Sequence, residues 1–373
     1  MSKTKANPSF YAADKTPLLP KLFRAGSFSL SLALLVVCSA GSSAQQRTLL
    51  ALSKSDHTLA MVDPVSLKVV ARAAVGSDPH EVIASSDGKL AFVSIYGGGS
   101  MHEINVIDLV SQKPLYTIDT RPFFGPHGLT FVGGKLWFTS EGSKSVGRYD
   151  PATKQIDWCM GTGQDRTHMI YVTADAKRVY TTNVSSGTVS ILMDTLQAPP
   201  TGPMPPPPGG TPKGNPPGWG QPYRVWTQTV VPVSRGSEGF DVSPDGKELW
   251  TASADDGTIA VINLVTLKVA ATIDAKVLGA NRLQFTPDGT RALISSLRTG
   301  DLFVFDVASR QLVKQWNIGH GGAGILMDPD GTRAFVGCTA DNYVAVIDLK
   351  TLEVTGHIDV GGGPDGLAWA VKE

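Results

Sequence analysis

The sequence predicts an all-β chain assembled from one repeated four-stranded unit, and three observations predict it. First, 40 of the 373 residues are glycine, and the apolar runs are short and rich in Val, Ile, Thr and Phe, which favours strands joined by tight turns. Second, one passage recurs. GSDPHEVIASSDGKLAFVS, beginning at Gly76, aligns on its Asp-Gly turn with GSEGFDVSPDGKELWTAS at Gly236, GANRLQFTPDGTRALISS at Gly279 and GGAGILMDPDGTRAFVGC at Gly321. Looser copies start at Gly125 and Arg166, and a half-copy, GGPDGLAWAV, starts at Gly362. Third, the copies continue into a second hairpin, as in TIAVINLVTLKVAATI after Gly257, DLFVFDVASRQLVKQW after Gly300 and YVAVIDLKTLEVTGHI after Asn342. Four strands at a period of about 40–45 residues are the pattern of propeller blades.

Taken in chain order, the first segment stands apart. Lys3, Lys5, Lys15, Lys21 and Arg24 precede the apolar run GSFSLSLALLVVC and the small residues Ser42-Ser43-Ala44. This is the layout of a secretory signal, with residues 1–44 removed and a mature chain starting near Gln45. Cys38 would suggest lipidation, but Val37 is too large for the position before a lipidated cysteine. The expected location is therefore outside the cytoplasm, periplasmic or extracellular, with no transmembrane span in the mature chain.

From Gln45 the chain supplies TLLALS, TLAMVD and KVVARAAV, three strands of a blade whose inner strand is missing. Six complete copies follow. The last strand, Gly366 to Val371, then supplies the missing one, giving seven blades over residues 45–373 and no open sheet edge at the closure. In the third copy the repeat is lengthened by QAPPTGPMPPPPGGTPKGNPPGWGQPY, residues 197–223, whose proline density removes backbone donors and favours an extended surface loop. Trp219 and Tyr223 are the anchors it would offer a protein partner.

Within this frame Tyr180-Thr181-Thr182-Asn183 followed by VSSGTVSILMD resembles the motif of the YVTN-repeat propellers. The resemblance extends over nearly all of the mature chain through the P-D-G-K turn, the V-I-D ending of third strands and the T-x-K turn. It implies a seven-bladed, mostly exported protein. Related propellers include lactonases, amine dehydrogenase subunits, the copper-cluster domain of nitrous oxide reductase and interaction scaffolds, so the resemblance speaks to fold and not to activity.

Composition excludes other classes. The 33 basic and 33 acidic side chains balance, so no electrostatic footprint for nucleic acid is present. Beyond the signal segment only Cys159 and Cys338 remain, too few for a disulfide framework, a C-x-x-C zinc site or a C-x-x-C-H haem attachment. No nucleophile elbow G-x-S-x-G precedes a helix, and Gly97-Gly98-Gly99 lacks the G-K-S/T of a phosphate loop.

Counting back from each Asp-Gly turn, the place of His80 is taken in successive blades by His127, His168, Glu238, Asn281, Ala323 and Asp365. The inner strand of a blade lines the central channel, so these residues form one ring at its mouth. His80, His127, His168 and Glu238 offer three imidazoles and a carboxylate, a donor set for zinc, iron, manganese or copper. The same ring, with Asn281, also suits a small-molecule ligand. Tyr96, Asn183 and Arg298 are expected to reach the mouth from the loops after second strands. So is Glu141, which with Asp365 is the carboxylate available as a catalytic base. Two functions remain open from the sequence: a monomeric binding scaffold for a ligand or partner, and a metal-dependent hydrolase of the lactonase type or a redox enzyme.

Overall fold

The computed structural model describes residues 47–199, 202, 208–210 and 220–372. The expected signal segment, Trp219 and most of the proline-rich insertion lie outside the described residues.

Seven four-stranded antiparallel sheets form a ring. The closing blade contributes β1 (Arg47–Ser53), β2 (Thr58–Asp63) and β3 (Lys68–Ala74). The first full blade runs β4 (Pro79–Ala84), β5 (Leu90–Ile95), β6 (Glu103–Asp108) and β7 (Lys113–Asp119). The second runs β8 (Pro126–Val132), β9 (Lys135–Ser140), β10 (Ser145–Asp150) and β11 (Gln155–Gly161). The third runs β12 (Thr167–Val172), β13 (Arg178–Asn183), β14 (Thr188–Gln197) and β15 (Tyr223–Pro232). The fourth runs β16 (Ser237–Val242), β17 (Glu248–Ser253), β18 (Thr258–Asn263) and β19 (Lys268–Asp274). The fifth and sixth comprise β20 (Ala280–Phe285), β21 (Arg291–Ser296), β22 (Asp301–Asp306) and β23 (Leu312–Asn317), then β24 (Gly322–Met327), β25 (Arg333–Cys338), β26 (Tyr343–Asp348) and β27 (Glu353–Ile358). The last strand, β28 (Pro364–Val371), pairs with β1 through Leu49 opposite Trp369 and Leu50 opposite Ala368, giving the order β28-β1-β2-β3. The expected closure by both ends of the ring is thus present.

The strand patterns follow from position. The middle strands are covered on both faces by neighbouring blades and read as unbroken buried runs, such as Leu59 to Val62 and Leu302 to Phe305. Outer strands have one solvated face and alternate, as β11 does from exposed Gln155 to exposed Gly161. Leu50, Leu59, Val82 and Val93 form one of the cores, in which the closing blade packs on the first blade. At about 25 cal/mol per Å² of apolar surface removed from water, such interfaces are the main stabilising term.

Both repeated turn signals have local causes. Gly88, Gly246, Gly289 and Gly331 close the first hairpins with φ between 66° and 74°, a region glycine enters at no steric cost and Ala176 enters at the same turn of the third blade. The aspartates that end third strands cap the next turn: Asp63 Oδ1 accepts from the backbone N–H of Val65 and Ser66, and Asp348 Oδ1 from Lys350 and Thr351.

At the insertion, β14 and β15 are ten residues each and stay paired out to Gln197 opposite Tyr223. The two residues at the ends of the proline-rich stretch therefore belong to a regular ribbon. Cys159 is exposed and Cys338 buried, and both are free thiols. Among the described residues no helix is long and apolar enough to cross a membrane.

Candidate functional site

The inner strand of every blade departs from regular pairing near its second residue. Register shifts fall between Pro79 and Val82, Pro126 and Leu129, Thr167 and Ile170, and Ser237 and Phe240. They recur between Ala280 and Arg282, between Gly322 and Ile325, and where β28 meets Ser53. A bulge re-aims the side chain it carries. Here it turns His80, His127, His168, Glu238, Asn281, Ala323 and Asp365 together, and all seven line one cavity of about 400 Å³ at the channel mouth.

A second ring sits above the first. The residue following each second strand donates its backbone N–H to the residue two places before the neighbouring ring position. Tyr96 donates to the Asp78 carbonyl, Glu141 to Gly125, Val184 to Arg166, Ala254 to Gly236, Leu297 to Gly279, Thr339 to Gly321 and Lys54 to Gly363. Lys54, Tyr96, Leu297 and Thr339 of this ring line the cavity, whereas Glu141 stands just behind it.

Glu141 ties the rings together. Its Oε2 accepts the Tyr96 hydroxyl at 2.5 Å, and its Oε1 makes a close contact with His168 Nδ1. The other ring nitrogen of His168, Nε2, lies 2.9 Å from Glu238 Oε1. His127 stacks obliquely on His168 with ring centroids 3.8 Å apart, and His80 follows at 4.9 Å from His127. One ligand atom each from His127, Glu141 and His168 can be chosen so that all three lie within 4.8 Å of one another. His127 Nδ1 is buried and has no hydrogen-bond partner, a cost of about 1–3 kcal/mol for a polar atom unless something occupies its lone pair.

The electrostatics separate the histidines. Burial drives the pKa of His127 well below the ordinary histidine value, and the neighbouring His168 and His80 add to this. Burial also depresses His80, with Asp365 partly opposing it. His168 is different: burial works against its charged form, but Glu238 and Glu141 together outweigh burial and raise its pKa. Burial opposes ionisation of half-buried Glu238, but His168 beside it outweighs burial and lowers its pKa to about 2. Burial opposes ionisation of Glu141, yet the bonds from His168 and Tyr96 hold it below the ordinary carboxylate value.

The structure places the sequence-predicted residues in four groups. His127, His168 and Glu141 converge, with Glu238 against His168 and Tyr96 against Glu141. His80 faces the other way: its Nε2 lies 2.8 Å from Lys54 Nζ and 3.0 Å from Asp78 Oδ1, and Asp365 Oδ2 is 3.3 Å from the same lysine. Asn281 lines the cavity and accepts from Arg282. Asn183 and Arg298 are not among the cavity-lining residues. Asn183 is the last residue of β13, one place before the second ring, so strand alternation turns it into the blade, where it bonds Thr167, Thr188 and Ser190. Arg298 is one place beyond the second ring, and Leu297 takes the lining position in its blade.

Sequence reasoning missed Lys54, Asp78, Arg166, Glu81 and Arg282. Lys54 belongs to the second ring. Glu81 and Arg282 immediately follow ring positions where four blades carry glycine, Gly128, Gly239, Gly324 and Gly366, and Arg282 bonds Glu81 across the channel. A larger groove of about 780 Å³ runs along the outer wall between β7 and β11, but its Asp119, Arg121 and Asp157 are engaged in surface ion pairs.

No family model matches the chain, and no curated protein sequence does either. Among solved structures, a putative 6-phosphogluconolactonase from Bacteroides fragilis superposes with a TM-score of 0.66 at 16% identity, covering 88% of this chain and 99% of its own. The hydrazine synthase of Kuenenia stuttgartiensis gives 0.60 at 16% identity, with 78% and 89% covered. The dihydro-heme d1 dehydrogenase NirN in complex with DHE gives 0.55 at 13% identity, with 86% and 74% covered. At these identities the likeness is one of fold.

Proposed function

We propose that the channel mouth is a divalent-metal centre held by His127, His168 and Glu141, and that the protein is an exported, metal-dependent hydrolase of a small ester such as a lactone. The observation that carries this reading is the cluster of His127, His168 and Glu141, which can each bring one ligand atom within 4.8 Å of the others, together with the buried His127 Nδ1 that has no hydrogen-bond partner. His127 is kept neutral by burial, the form a metal ligand requires. Glu238 is placed to hold the far nitrogen of His168 and fix the orientation of its ring.

A bound ion supplies Lewis acidity toward a carbonyl oxygen and a water of lowered pKa. The chain's own residues do the rest. Asp365, lining the same cavity, accepts the proton of the attacking water. As the acyl C–O bond of the ring breaks, Asp365 returns that proton to the departing alkoxide oxygen, and the hydroxy acid leaves through the mouth, since Arg282 and Glu81 cross the channel behind it. The lactonase-like neighbours share the fold and are compatible with this chemistry. Export rests on the residue 1–44 segment.

A second reading is supported by a specific contact. His168 lies between Glu141 and Glu238, two carboxylates that could balance a protonated ring with no ion, as in a binding scaffold, although its Nε2 makes no hydrogen bond. Elemental analysis of protein purified without chelators, alongside His127→Ala and pH-stat assays on glucono-δ-lactone, separates the two. The hydrolase reading expects about one metal per chain in the parent, none in the variant, and a loss of turnover of about 100-fold or more. Metal absent from both sinks the metal centre, and metal without turnover reduces the site to metal-dependent binding.

A further inference from the structure

Two places before each ring residue, all seven blades adopt a left-handed backbone: Asp78, Gly125, Arg166, Gly236, Gly279, Gly321 and Gly363 have φ between 55° and 76°. Five of the seven are glycine, the residue this conformation favours. The two exceptions are charged, both precede ring histidines, and both direct their side chains at the mouth. Asp78 reaches His80 and Lys54. Arg166 approaches Glu141 at 3.6 Å and Glu238 at 3.8 Å, and it lines the cavity. A side chain kept where the fold prefers none points to a role in the site.

The charge on the cavity wall gives that role its sign. The lining residues include the cations Lys54, Arg166 and Arg282 and the carboxylates Glu238 and Asp365. Arg282 is committed to Glu81 and Asn281, and Lys54 to His80 and Asp365. Arg166 is the most loosely held of the three. Among the described residues its guanidinium makes no hydrogen bond, its two ion-pair approaches are longer than hydrogen-bond distance, and its side chain is 44% exposed. It lines the cavity with its Nε and one Nη toward Glu141 and Glu238 beyond bonding distance, and a guanidinium so loosely held can close bidentately on an oxyanion that enters the mouth.

We infer that Arg166 is the recognition residue of an anion subsite, and that the ligand of this mouth is a small molecule carrying a carboxylate or phosphate. The inference rests on the reading of the mouth as a ligand site but does not require the ion.

Titration calorimetry on the full chain, as purified and after chelator treatment, tests it with succinate, inorganic phosphate and the neutral isostere succinamide. At least one of the two anions binds the parent and succinamide does not. The two anion arms distinguish a carboxylate from a phosphate ligand. Arg166→Gly, which suits the left-handed backbone, weakens that binding at least about tenfold without lowering the unfolding temperature or the metal content, and Arg166→Lys restores part of it. Equal anion binding by Arg166→Gly overturns the proposal, as does a parent that binds neither anion, or a variant that loses stability along with binding. Anion binding that survives in metal-free protein leaves the subsite standing even where the metal centre fails. Metal without anion binding removes the subsite alone.

Discussion

Arg282 on β20 extends across the central channel and bonds the carboxylate of Glu81 on β4, three blades away by one path and four by the other. Both side chains are buried. Burial alone would push the Glu81 carboxyl toward its neutral form, and the guanidinium is what opposes this. The pair is thus a strut that forms the floor of the mouth.

Breaking the strut on one side is expected to be far worse than replacing it. Arg282→Met leaves a buried carboxylate without its partner and should cost about 3–5 kcal/mol, whereas the double variant Glu81→Leu with Arg282→Met should recover most of that loss. Urea unfolding midpoints of the two single variants and the double variant check this. A double variant as unstable as the sum of the singles would show that the residues act independently.

Asp241 on β16 has an unusual pH signature. Burial raises its pKa to about 7, with the backbone N–H groups of Phe285 and Val242 opposing, and Tyr171 faces it from β12. Its folded pKa lies above the unfolded value near 3.8, so between about pH 4 and pH 7 the folded state holds a proton the unfolded state has lost. Stability contributed by this group is therefore fully present below pH 4, falls as pH rises toward 7, and is flat above it. Asp241→Asn keeps an acceptor for Phe285 and should stabilise by about 1–2 kcal/mol at pH 8 while giving no gain at pH 4. Thermal melts across that range decide it, and a gain equal at both ends would refute the assignment.

Gly128 follows ring residue His127, and a Cβ there would stand 2.5 Å from the backbone oxygen of His168 on the next blade. Gly128→Ala should push β12 outward, cost about 1–3 kcal/mol and weaken the coupling of His168 to its carboxylates. Gly161→Ala, whose new methyl meets no atom within 4 Å, is the control and should leave stability within about 0.5 kcal/mol of the parent. Paired denaturation curves provide the comparison.

Much of this molecule was legible because a propeller repeats its constraints. Asp-Gly turns and third-strand aspartates serve the same backbone need in several blades, so alignment alone located the ring from His80 to Asp365. The failures lie where a single residue of register matters. Asn183 and Arg298 fall one place short of and one place past the second ring, and in a strand one place reverses the direction of the side chain. The partition of the histidines was also hidden. His80 pairs with Lys54 and Asp78, leaving the convergence to His127, His168 and Glu141, because that outcome depends on side chains from three loops that no periodicity records. Arg166 and Asp78 did leave a trace, as departures from glycine at a position where the other blades keep it.

The closing blade has a consequence for how the protein matures. Lys54 and Asp365 meet in the mouth although 311 residues separate them, and they do so because β28 docks on β1. The mouth therefore has no complete wall until that final strand is seated, however early the rest of the ring has formed. Ring closure and completion of the cavity wall are then one event: a chain without its last strand would keep an unpaired edge on β1 and a mouth missing Asp365.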